Sequence, residues 1–350
     1  MPTQVQTSAI QRLRDNISSV FLGNPHVVDQ VICCLLAKGH VLIEDVPGVG
    51  KTVLATALAR SIDCSFSRIQ LTPDLLPSDI IGVSLFRSDS FASPGVNGNG
   101  SGGATGGASG HGLRGGFEFK RGPIFANIVL ADEINRTPPR TQTALLEAMS
   151  EATVTVDGKT YGLDQPFMIV ATQNPFDFEG TYPLPENQLD RFFMRINLGY
   201  PSAAVEQRVL SLRPGDYALH ALKPVLKAAD VLELQREVDA VRLEQPLIEY
   251  IIALAGATRT RDDLQVGLSP RGALALAQAA RATAALNQRD YVVPEDILQN
   301  VLPVCAHRII GRTYSSPIRG TSGPSGTPVY PPDSTQGILT AILQTLPSPV

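Results

Sequence analysis

Short apolar runs punctuate the first two hundred residues and then stop. VLI (41–43), FSRIQL (66–71), IVLAD (128–132), FMIVAT (167–172) and FMRINL (193–198) are short and largely rich in β-branched or aromatic side chains. That pattern predicts five strands, buried enough to belong to a parallel sheet. Between them the apolar spacing turns helical, notably over 52–60 and 140–151. Strands alternating with helices predict an α/β fold, a parallel sheet covered on both faces. Past Pro201 the pattern changes. AAVEQRVLSL, KAADVLELQREVDAV, PLIEYIIALAGATRT, SPRGALALAQAARATAAL and PEDILQNVLPVCAHRI all carry helical spacing, and no strand is evident. A boundary near Tyr200 therefore separates an α/β unit (1–200) from an all-helical unit (201–312).

Two segments carry too little apolar surface to join this packing. Residues 88–116 hold 11 of the 30 glycines and almost no large apolar side chain. Such a stretch cannot offset its ordering entropy and is expected to be a disordered insertion. The flanking strings VSLFRS and FEFKRG alternate well enough to form the arms of a hairpin that this insertion extends. Residues 313–350 form a Pro/Ser/Gly-rich tail, in which QGILTAILQTL has the spacing of a short helix.

Composition narrows the function classes. With 29 Lys+Arg against 33 Asp+Glu, charge supplies no general attraction to nucleic acid or membrane. No apolar run approaches a membrane span, and MPTQVQTSAIQRLRDN lacks a signal-peptide apolar core. Cys33, Cys34, Cys64 and Cys305 form no C-x-x-C pair, which points away from zinc and from a disulfide framework. Cys33 and Cys34 fall in a helical stretch where buried packing is expected. A reduced, cytoplasmic protein is the expectation.

HVLIEDVPGVGKT (40–52) carries the first chemistry. An apolar strand leads through a proline and two glycines into a helix, a geometry that gathers backbone N–H groups and the helix dipole around an anion. Lys51 would reach the β- and γ-phosphates, and the Thr52 hydroxyl would ligate Mg²⁺. The usual opening glycine of this loop is Asp45 here, so the loop alone leaves an ordinary strand-to-helix turn open. IVLADEINR then delivers Asp132 and Glu133 to the carboxyl end of a strand, where α/β sheets bind ligands. In ATQNP, Asn174 follows directly on a strand, placed to orient a water against a γ-phosphate. In PLPENQLDRFFMRI, Arg191 lies just before the last strand, at the core's edge, with Arg195 four residues later. In LSPRGALAL, Arg271 occupies the first turn of a helix, where a cation opposes the dipole and suggests an anionic partner.

Taken together, EDVPGVGKT, TPDLLPSDIIG, GPIFANIVLADEINRTPPRTQTALLEAM, TVDG, ATQNPFDFEGTYPLPENQLDRF and LSPRGAL resemble the signature blocks of the MoxR family of AAA+ ATPases over about residues 16–311. An acidic residue at the loop's first position occurs within that family. The resemblance implies an AAA+ P-loop core, with a parallel five-stranded sheet between helices, followed by a small all-α lid. It implies ATP and Mg²⁺ as ligands. The loop of Asp45, Val46, Pro47, Gly48, Val49, Gly50, Lys51 and Thr52 would hold the nucleotide. Thr52 and Asp132 would hold the metal, Glu133 would be the catalytic base and Asn174 sensor 1. Arg191 would be an arginine finger acting in trans, with Arg195 as the alternative, and Arg271 would be sensor 2 on the lid. VSLFRS…FEFKRG would be the helix-2 insert, and VTVDGKTYGL (154–163) the pre-sensor-1 hairpin. The family's insert is short, so the glycine-rich extension departs from it, and the tail after Gly311 looks peripheral.

The same resemblance implies a homo-oligomer, a hexamer, that acts as a chaperone. Its client would be a protein with a von Willebrand factor A domain, in metal-cofactor insertion or complex maturation. A nucleic-acid motor is one alternative, but the hairpin EATVTVDGKTYG offers only Lys159 beside Glu151 and Asp157, where a DNA-tracking loop needs cations. A non-hydrolysing, nucleotide-dependent scaffold is the other. Against it, every catalytic position holds the expected residue type.

Overall fold

The structure, a computed structural model, describes residues 4–46, 48–88, 115–174, 180–212, 219, 221–312, 321–322, 328–329, 331 and 334–347. Pro47 of the nucleotide loop, all but the ends of the 88–116 insertion and most of the tail before residue 334 lie outside the described residues.

In chain order the first half contains α1 (Gln4–Val20), α2 (Pro25–Leu36), β1 (Val41–Glu44), α3 (Lys51–Ser61), β2 (Ile62–Asp63), β3 (Phe66–Gln70), α4 (Pro77–Ile81), β4 (Gly82–Ser88) and β5 (Gly115–Arg121). Then come β6 (Ile128–Asp132), α5 (Pro139–Glu151), β7 (Thr153–Val156), β8 (Lys159–Gly162), β9 (Met168–Gln173), α6 (Glu186–Leu189) and β10 (Met194–Ile196). The five expected strands assemble into one parallel sheet in the order β10-β1-β9-β6-β3. Alternate side chains serve opposite faces. Val41, Ile43, Ile128, Leu130, Met168 and Val170 enter one core with α1, α2 and α3. Leu42, Val129, Ala131, Ile169 and Ala171 enter a second core with α4, α5 and the β7–β8 hairpin. A strand buried on both faces has no polar alternation, which is why these runs read as continuous apolar stretches. β3 is an edge strand, and its mixture of polar and apolar residues reflects that position.

The strings on either side of the glycine-rich insertion pair antiparallel as β4 and β5, with Phe86 opposite Phe117. β7 and β8 form the second hairpin, closed at Asp157–Gly158, where both residues have positive φ.

The second half is helical: α7 (Ala203–Leu212), α8 (Ala228–Ala240), α9 (Gln245–Arg259), α10 (Pro270–Leu286), α11 (Pro294–Cys305) and α12 (Thr335–Thr345). Small residues at Ala279, Ala280, Ala282 and Ala284 let neighbours approach α10 closely, and all are buried. Helix α2 bridges the halves. The Cys33 thiol reaches the Ala279 carbonyl, and Gln235 donates to the Leu35 carbonyl at 2.7 Å. Burial pushes the Cys33 thiol up to about 12, as expected of a cysteine that packs rather than reacts.

Two sequence expectations change. The second half is not free of strands: Leu226–Lys227 pairs with β2, and Leu264–Val266 pairs with Ile310–Gly311. Both are too short to show a periodicity. The tail is also not wholly peripheral. Its expected helix is α12, capped by the Ser334 hydroxyl, and it buries Ile338, Leu339 and Ile342 in the same core as α9 and α11.

Candidate functional site

The parallel sheet fixes the site. Because β1, β9 and β6 are neighbours that run the same way, their carboxyl ends present Asp45–Thr52, Gln173–Asn174 and Asp132–Glu133 along one edge. Registers of Glu44 with Gln173 and of Ala131 with Ala171 hold these ends level.

Gly48 and Gly50 adopt φ of +84° and +95°, the left-handed backbone that lets the loop turn into α3. Gly50 is the N-cap and supplies no side-chain cap, and the first turn of α3 contains no acidic residue. Its amide donors therefore face outward with the positive end of the dipole, a cradle for phosphate. Lys51 Nζ donates to the Asp45 carbonyl at 2.8 Å, folded back across the loop it would serve.

Asp45 has a different role from the glycine it replaces. Its carboxylate is 1% exposed; one oxygen accepts from the Val46 N–H at 2.7 Å, the other from the Gly199 N–H at 2.6 Å. The acidic residue thus ties the loop's first turn to the strand that leaves the core for α7.

At the next strand ends, Thr172 links the acidic pair. Its hydroxyl donates to Asp132 Oδ1 and accepts from the Glu133 N–H at 2.9 Å. The other oxygen of Asp132 pairs with Arg68 at 2.7 Å, and Glu133 accepts from Gln70 at 2.9 Å. Register explains this: Gln70 lies directly beside Asp132. Glu133 has φ of 60° and ψ of 52°, a left-handed conformation uncommon for a side chain of its size. Asn174 is buried at the end of β9, its carbonyl receiving the Asn135 amide at 3.2 Å. The oxygens of Thr52 and Asp132 are hard donors of the kind Mg²⁺ takes, and Arg68 shows that Asp132 already attracts a cation.

Beside the loop lies a cavity of about 570 Å³, bounded by Phe21, Val49, Val53, Leu198, Val205 and Leu210. Its size and apolar lining suit the base of a nucleotide. Sequence reasoning missed this wall, together with Thr172, Arg68 and Gln70. Only a hydroxyl residue ending an otherwise apolar strand hinted at Thr172.

The arginines separate. Arg195 is half-buried beside Glu44 on the adjacent strand, 3.6 Å away. Arg191 lies at the far edge of the core, donating to the Leu146 carbonyl and the Ser150 hydroxyl, both at 2.7 Å. Arg271, at the start of α10, pairs at 3.5 Å with Asp190, the residue before Arg191. Its expected anionic partner is thus, in this state, a carboxylate of the core.

Comparison with known proteins matches residues 40–98 and 105–194 to an ATPase family associated with various cellular activities (AAA), and residues 256–324 to an AAA lid domain. The chain is 49% identical over 283 residues to the uncharacterized protein YeaC of Bacillus subtilis, covering 81% of each. It is 37% identical over 314 residues to Chaperone MoxR1 of Mycobacterium tuberculosis, covering 87% of this chain and 76% of the relative. A crystal structure of a candidate ATPase from Cytophaga hutchinsonii superimposes with a TM-score of 0.79 at 36% identity, covering 98% and 96% of the two chains.

Proposed function

Since the chain belongs to the MoxR family of AAA+ ATPases, we propose that it binds ATP and hydrolyses it to ADP and phosphate within a homo-oligomeric ring. The observation that carries this is the convergence of an uncapped helix N-terminus, a lysine, an acidic pair and an amide along one sheet edge, next to an apolar cavity. The cavity holds the base. The amides of Gly48–Thr52 and the ammonium of Lys51 hold the phosphates, with charge-assisted hydrogen bonds replacing the contact Lys51 now makes to Asp45.

Thr52 and Asp132 hold Mg²⁺, which when bound neutralises charge on the phosphate oxygens. Glu133 takes the proton of the attacking water, and Thr172 pins its left-handed backbone. Asn174 orients that water without adding charge. Arg191 completes the site of a neighbouring copy, and Arg271 closes the lid over its own.

The product of the cycle is mechanical: a chaperone that remodels or activates a protein client. MoxR1 of M. tuberculosis is named a chaperone, and this chain aligns with it over 314 residues. A client with a von Willebrand factor A domain, in metal-cofactor insertion or complex maturation, and a hexameric ring in the cytoplasm complete the reading. Among the described residues no helix is long and apolar enough to cross a membrane. The β7–β8 hairpin, with Lys159 its sole base, disfavours nucleic acid as the client.

The test is turnover by the purified chain with ATP and Mg²⁺. Lys51→Ala should lose nucleotide affinity, whereas Glu133→Gln should bind ATP and release no phosphate. Phosphate release by Glu133→Gln at the wild-type rate would overturn the assignment of the base.

A further inference from the structure

Charges from both halves of the chain meet at residue 190. Asp190 Oδ1 accepts from Arg308 Nε at 3.0 Å, and Asp190 Oδ2 lies 3.5 Å from Arg271 Nη1. Arg308 follows α11 in the lid, and its side chain is 3% exposed. Beyond the carboxylate it donates to the carbonyls of Phe192 at 2.8 Å, Phe193 at 3.0 Å, Asp190 at 3.5 Å and Val304. All but the last belong to the turn 190–193, which carries Arg191. The neighbouring His307 contributes Nε2 to the same Phe192 carbonyl at 2.9 Å. A buried guanidinium needs all of its donors satisfied, so the lid grips this turn by several bonds at once.

The head of Arg191 is held separately, by the last turns of α5. Backbone and head of this arginine thus answer to different elements.

We propose that Asp190 and Arg308 are positioning residues for Arg191, through which the lid of one copy sets the finger it offers to the next copy. This rests on the reading of Arg191 as a finger acting in trans. Asp190 is shared between Arg271 and Arg308. A bound γ-phosphate competes with Asp190 for Arg271, and when Arg271 leaves, the carboxylate pairs with Arg308 alone. The lid's response to its own nucleotide is in this way a change at the turn that serves the neighbour, two arrangements of one element biased by a ligand.

Two variants test it, Asp190→Asn, which keeps shape and removes charge, and Arg308→Lys, which keeps charge and loses the fork. Each should bind ATP like the wild type and turn over about tenfold or more slowly, a part of the roughly 10³–10⁵ that a finger supplies. Each should regain activity several-fold when mixed with Lys51→Ala, whose nucleotide site is dead but whose finger is intact. A defect confined to folding, or to the variant's own site, gives no such recovery. The mixture of Arg191→Ala with Lys51→Ala is the control, with subunit exchange confirmed by labelled chains.

If the control recovers and Asp190→Asn with Lys51→Ala does not, the positioning role is wrong and the finger reading stands. If the exchanging control itself fails to recover, the finger reading falls and this inference with it. Wild-type turnover by Asp190→Asn also overturns it. Should Arg308→Lys fail to fold, Asp190→Asn decides the question alone.

Discussion

The nucleotide edge and the lid–core junction use the same kinds of residue in opposite ways. At the nucleotide edge, Asp132, Glu133 and Thr172 are fixed by strands that lie side by side, and their mutual bonds follow from sheet register. At the junction, Asp190, Arg271 and Arg308 come from three separate segments, joined by ion pairs and by the bonds of Arg308 to the carbonyls of the turn 190–193. The first arrangement is rigid because moving one group means breaking a sheet. The second can exchange partners, since a carboxylate shared by two guanidiniums loses little when one of them finds another anion. On the proposed reading, chemistry falls on the rigid edge and coupling on the exchangeable junction.

The widest contrast is predicted from mixing inactive variants across the two regions. Glu133→Gln and Arg191→Ala should each lose about 10³ or more in turnover, as expected for a base and a finger. Mixed together they should recover activity, because each keeps what the other lacks. Glu133→Gln mixed with Lys51→Ala should stay inactive, since both lesions fall on the nucleotide edge. Recovery in that second mixture, read as phosphate release, would break the division between the regions.

A smaller effect is expected within the edge itself. Thr172→Val keeps the volume and removes the hydroxyl that joins Asp132 to the Glu133 amide. Outer contacts of this kind are worth about 10–100-fold in metal affinity or activity. The Mg²⁺ concentration for half-maximal turnover should rise accordingly, and an unchanged Mg²⁺ dependence would remove Thr172 from the site.

Acid should loosen the amino end of the sheet and the junction through buried histidines. His40 accepts the Ile169 N–H at Nδ1 and so donates from Nε2 to the Met149 carbonyl. Burial lowers its pKa from 6.5 to about 4. His307, at the junction, is lowered well below its ordinary value by burial and by the nearby Arg308 and Arg195 charges. The unfolded chain binds protons below about pH 6.5 and the folded chain does not, so stability is complete above that pH and is lost as pH falls towards 4. For His40 alone the loss at pH 5 is about 2 kcal/mol. Thermal unfolding should show it, and His40→Gln, whose amide can both donate and accept, should flatten the pH dependence.

The smallest predicted effect concerns Asp45. Asp45→Asn leaves one of two backbone amides without a good acceptor, which costs about 1–2 kcal/mol in stability. Nucleotide affinity should stay within a few-fold, because both carboxylate oxygens face amides of the protein. A large gain in ATP affinity would show instead that Asp45 repels phosphate.

Much of the nucleotide edge was legible in the sequence. Asp132, Glu133 and Asn174 end or closely follow an apolar run, and Lys51 and Thr52 close the glycine loop after another, so locating the strand located the residue. Thr172, Arg68 and Gln70 were not legible, although they lie in strands that were. Their importance depends on which strand is adjacent and in what register, and periodicity does not encode that. Asp45 was visible as a departure from the loop pattern, but its partner Gly199 lies 154 residues away. Helix α12 could be read as a helix, yet its own residues do not say that the lid has an apolar seat for it.

What the sequence by itself determined is the set of local conformations: five apolar strands, the glycine turn after the first of them, and helices with one apolar stripe. These follow from backbone sterics and side-chain spacing within a few residues. Tertiary structure alone decided which partner each arginine meets. Arg191, Arg195, Arg271 and Arg308 carry the same charge, and nothing near them in the chain distinguishes a core ion pair from an edge-facing head or a grip on a turn. Folding separates them by bringing Glu44 to one, Ser150 to another and Asp190 to the last two. Charge acts through distance in space, and that distance is a property of the whole fold.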